Sequence, residues 1–195
     1  MKLIPAIEFL AWARTHEITP DERYSEPRCL VYVPYRDNDR FWEIPDGVAK
    51  LGEFVSHLLA GTKPWNACYL WLPEGRWPRT QDFSTNEEEA QFLRFRAAGI
   101  PDGFEGALEY SRTEQEKVAG VMCAELLYGR TVYEDLFVIP DHCQQLLQTD
   151  HHGVVHVSCV SAYHLGRFEQ HMTAGGFQLP EELPDQTFKK PNWMK

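Results

Sequence analysis

The chain of 195 residues is long enough to bury a sizeable core in one domain, and its 43% hydrophobic and 13% aromatic content suits a globular protein. Nineteen basic against 29 acidic residues leave a formal charge of -10, opposite in sign to the footprint of a nucleic-acid binder, so binding to DNA or RNA is not expected. No apolar run approaches the roughly eighteen residues of a membrane span, and Glu8 interrupts the apolar N-terminal region, so no membrane association and a cytoplasmic location are expected.

In chain order, Leu3, Ile7, Leu10 and Ala11 recur at helical spacing, with Phe9 and Trp12 alongside, and predict an opening helix over residues 3–14. Residues 17–28, with Pro20 and Pro27, read as a loop. Residues 29–33 read as a strand closed by Pro34, and 36–40 as a charged turn. A second helix over 48–60 places Val48, Leu51, Val55, Leu58 and Leu59 on one face, with Asp46 as N-cap and Gly61 past its end. Residues 67–72 form the next strand.

Ser84 with Glu87, and Ser111 with Glu114, are capping-box patterns. They predict helices ending near Ala98 and Tyr128, separated by a weaker strand over 103–110; the wide apolar face of the second helix marks it as the most buried. Residues 132–139 are rich in β-branched and aromatic side chains and stop at Pro140. A short helix with Leu146 and Leu147 on one edge is expected next, then a doubly covered strand over 154–160. A last helix covers 162–173, and Pro180, Pro184 and Pro191 keep the tail irregular. Ile-Pro-Asp occurs at Ile44, Ile100 and Ile139, which reads as reused turn chemistry.

Strands and helices thus alternate, predicting an α/β or α+β fold: one domain over 1–178 and an extended, proline-containing tail over 179–195. The expected sheet is mixed, with about five strands, the 132–139 and 154–160 strands in its middle, and about five to six packed helices.

Five cysteines, Cys29, Cys68, Cys123, Cys143 and Cys159, include no C-x-x-C pair and read as buried, reduced thiols. Trp65, Trp71 and Trp77 recur every six residues; core packing is the expected use, with a homodimer interface as the alternative. No phosphate-binding glycine motif is present, and no cofactor is expected.

Six of eight histidines, His142, His151, His152, His156, His164 and His171, fall within 30 residues. On one strand His152 and His156 would lie about 13 Å apart. On one helix His164 and His171 would lie about 10 Å apart, so no metal site is expected from either spacing. The His-rich stretch 142–171 offers an alternative reading as a hydrolase, with or without a metal, in which Asp150 orients His151 or His152 as an imidazole base.

Residues 81–116 hold nine acids against three arginines, more than half of the net charge. An acidic surface steers a basic partner and rejects acidic ones. The expected function is therefore non-enzymatic protein binding, as in an immunity-type protein that neutralises a basic toxin, with Glu87, Glu88, Glu89, Asp102, Glu105 and Glu109 as partner-binding residues.

Overall fold

A computed structural model describes residues 1–20, 31–32, 38–72, 75–78, 85–132, 135–150 and 153–180. Strand β1 (Lys2–Pro5) leads directly into helix α1 (Ala6–Thr15), and β2 (Thr19–Pro20) pairs with β3 (Val31–Tyr32) as a separate ribbon. Strand β4 (Asp39–Glu43) is followed by α2 (Val48–Gly61), β5 (Ala67–Trp71), α3 (Asn86–Ala97), β6 (Gly106–Ser111) and α4 (Gln115–Val132). The chain then runs through β7 (Phe137–Pro140), β8 (Gln145–Asp150) and β9 (Val154–Cys159) to α5 (Ala162–Ala174).

Seven strands form one sheet in the order β1-β6-β5-β7-β8-β9-β4. All neighbours are antiparallel, so the expected mixed sheet of five strands is corrected to a seven-stranded antiparallel one in an α+β chain with five α-helices among the described residues. Tight connections explain the direction: β7, β8 and β9 follow one another as a meander, and antiparallel neighbours need no long crossover.

Side chains alternate across the sheet because successive residues of a strand point to opposite faces. Leu70, Leu108, Val138, Leu147, Val155 and Val157 join the large core beneath α2, α3, α4 and α5. Trp71, Ala107, Phe137, Ile139 and Leu146 join a smaller core under α1. The helical layer runs α3, α4, α2, α5, which leaves α3 and α5 at its two ends. Trp42, Trp65, Trp71 and Trp77 are all buried in these cores, so these four rings pack the interior.

Five elements depart from the sequence reading, the shortest being β2 at Thr19–Pro20 where a loop was expected. The helix expected after Pro140 is strand β8: Leu146 and Leu147 are both buried but on opposite faces, an arrangement that only an extended chain between two partners provides. Residues 2–5 join the sheet edge, so the first helix starts at Ala6 and buries Phe9 and Ala13, while Ile7 is 79% exposed. Residues 39–40, read as part of a charged turn, begin β4, and Trp42 fixes its inner face. The strand expected over 132–139 begins only at Phe137, because α4 continues through Val132.

Cys29 and Ser84 lie outside the described residues, as do positions 181–195 of the expected tail. Gly47, with φ of 93°, stands at the N-cap of α2 where Asp46 was expected. It and Gly103, at φ 61°, complete the two Ile-Pro-Asp-Gly turns with a backbone conformation that glycine adopts at little cost. At Gly106 a Cβ would lie 2.0 Å from the Ile4 carbonyl oxygen, so the β1–β6 approach requires glycine there.

Candidate functional site

The acidic set predicted for partner binding is divided by the sheet. Glu87, Glu88 and Glu89 belong to the first turn of α3, and Glu89 is exposed. Asp102 and Glu105 are exposed in the connection from α3 to β6. Glu109 is elsewhere: it alternates with Leu108 and Tyr110 on β6, faces the α1 side, and pairs with Lys2 at 3.6 Å. Glu114 is engaged internally by the Met1 amino group and Lys117, and these contacts with the Ser111 backbone hold its carboxyl at about 2.

The histidines separate as well. His156 lies at the β8-β9-β4 end of the α1-side face, in register with Phe41 on β4 and Gln148 on β8. Its Nδ1 is 3.4 Å from Asp39 Oδ2 and its Nε2 is 3.5 Å from Asp150 Oδ2, so carboxylates from both neighbouring strands hold the ring. Burial alone would push this imidazolium down, but the hydrogen bonds and charges of Asp150 and Asp39 outweigh it and raise the group to about 9. Ser158 donates to Asp39 Oδ1 at 3.1 Å. The sequence reading did not join these residues, because Asp39 is 117 positions from His156 and was assigned to a turn.

Elsewhere, His142 accepts from the Gln144 backbone through Nδ1 and donates from Nε2 to the Lys63 carbonyl; burial is the largest influence on it and lowers its pKa. His164 sits beside the Ser161 hydroxyl in the first turn of α5. His57 and His171 stack with centroids 4.1 Å apart, each ring donating from Nε2 to the other residue's backbone carbonyl. His151 and His152 lie outside the described residues.

No protein-family model, curated protein or solved structure matches this chain.

The geometry around His156 limits what it can do chemically. A general base near neutral pH needs a neutral ring and a nitrogen within reach of the proton it removes. Here both nitrogens face carboxylates, the ring stays protonated up to about 9, and the nearby Ser158 hydroxyl is directed to Asp39. The group therefore works as an electrostatic tie across β4, β9 and β8. Burial pushes the Cys143 and Cys159 thiols up to about 11, which leaves little thiolate for nucleophilic attack. Among the described residues no set of three or more His, Cys, Asp or Glu side chains is arranged to hold a metal ion, and no helix is long and apolar enough to cross a membrane.

Proposed function

We propose that this chain is a non-enzymatic protein-binding protein whose acidic α3 side engages a basic protein, as an immunity-type protein would engage a basic toxin. The observation that carries this reading is the concentration of nine acids against three arginines in residues 81–116. Its support is strongest around α3, where Glu89 is exposed and Leu93, 58% exposed, adds an apolar contact to the charged surround. Interfaces draw much of their affinity from a few desolvated apolar anchors, while rim charges accelerate encounter and discriminate between partners. Glu109, on the other side of the sheet, drops out of this surface. In the hydrolytic alternative Asp150 would have to serve His151 or His152 while its Oδ2 also faces His156 across the strands.

The test is a pull-down from host lysate with wild-type protein beside a Glu87→Lys, Glu88→Lys, Glu89→Lys variant, followed by affinity measurement on the captured protein. Three reversed rim charges should weaken a complex with a basic partner by about ten-fold or more, at roughly 0.5–1 kcal/mol each. Equal affinity for both proteins, or capture of acidic proteins only, would remove the basis of the proposal.

A further inference from the structure

At the other end of the helical layer, a cleft of about 360 Å³ opens between the C-terminal end of α2, the Thr62–Pro64 turn, the start of β8 and one side of α5. Its lining includes Lys63, Arg167, His164 and His171 and, among the described residues, no Asp or Glu, in a protein whose formal charge is -10. Tyr163 and Pro64 supply apolar wall, with the buried Phe168 behind it, and Gln145 a polar edge.

Two features mark the cations as available. Arg167 is exposed and makes no hydrogen bond or ion pair among the described residues, although the neighbouring acid Glu169 is occupied by Arg40 at 2.8 Å. Lys63 is anchored by its backbone, whose N–H donates to the Gln145 side chain and whose carbonyl accepts from His142. Its ammonium gives one of three donors to Gln144 Oε1 at 2.6 Å and keeps two. The two cleft histidines each retain a ring nitrogen without a partner among the described residues, since His164 uses Nδ1 and His171 uses Nε2.

We propose that this cleft binds a small organic oxyanion, a phosphate or carboxylate headgroup carried on a flat apolar body. The Arg167 guanidinium matches such a headgroup with two parallel donors, and Lys63 adds a compact positive charge. The volume lies at the lower end of the range for small-molecule pockets, enough for one ring with its headgroup. The exposed Tyr163 ring then covers the apolar body.

The test titrates phenyl phosphate, benzoate and neutral benzamide into the intact protein, following backbone amide shifts by NMR and heat by calorimetry. Saturable binding of at least one anion, mapping to residues 60–64 and 163–171 and absent for benzamide, is expected. A Lys63→Gln, Arg167→Gln variant should lose at least ten-fold in affinity, while Arg14→Gln on α1 should bind as wild type; both altered cleft side chains are exposed, and an unchanged amide spectrum outside the cleft checks the fold. The stronger of the two anions identifies the headgroup. No binding of either anion, equal binding of benzamide, or undiminished binding by the folded double variant would overturn the proposal.

Discussion

His156 loses hydration on burial, which disfavours its cation, and gains two carboxylate neighbours, which favour it; the second effect prevails and holds the ring charged to about pH 9. The folded-state value thus lies above the unfolded one of about 6.5, so the stabilisation is complete below pH 6.5 and is lost as pH rises through 9. Because the side chain is 27% exposed and its contacts are 3.4 and 3.5 Å long, the contribution should be on the order of 1–2 kcal/mol rather than the full value of the shift. Urea midpoints measured at pH 6 and 9.5 should fall with pH in wild type and change less in His156→Gln. An equal fall in both proteins would assign the pH dependence to other groups. This tie had no local signature in the sequence, since each partner is contributed by a different strand and the strand carrying Asp39 was itself missed. Cys68, Cys143 and Cys159 were legible because their surroundings are apolar in sequence as well as in space, and they are buried, whereas Cys123, expected to be buried too, is half-buried.

Helix α1 is attached to the sheet chiefly through Phe9, fully buried and stacked on Trp71 with centroids 4.7 Å apart. Phe9→Ala should destabilise the protein by about 3–5 kcal/mol, whereas Ile7→Ala, at a 79% exposed position, should change it by less than about 0.5 kcal/mol. Chemical denaturation of the two variants checks the buried face directly, and comparable losses would contradict it. The periodic elements were the readable ones: α2, α3, α4 and α5 each follow an apolar stripe or a cap, and Glu114 does accept from the Ser111 backbone N–H at 3.2 Å. Short, ambiguous runs failed where sheet pairing decided the outcome. Gln-Gln-Leu-Leu has no strand preference of its own, yet between β7 and β9 its residues gain partners on both edges and cover on both faces. At the N-terminus the four residues Lys2–Pro5 were too few to break a helical pattern, but β6 offered them a free edge.

Across the whole molecule, α3 with its acids and the α5 cleft with its cations occupy opposite ends of one helical layer, so the two proposed binding events do not compete for surface. The sheet beneath them joins distant parts of the chain: β1 pairs with β6, and β4 pairs with β9 from Asp39↔Ser158 to Glu43↔Val154. A fragment ending at residue 150 therefore leaves β4 without its partner and removes His156 from its carboxylates. It should lack the cooperative urea transition of the full chain; a sharp transition of similar midpoint would show that the remaining strands suffice. The same pairing has a consequence during synthesis. Strands β1 and β4 leave the ribosome before the segments that receive them, so β1 waits with an unpaired edge until β6 emerges, and β4 waits until β9, the last strand of the meander. The nascent chain is then most exposed to aggregation and to chaperone capture while it is more than half made, until β9 clears the ribosome and covers the waiting edge of β4.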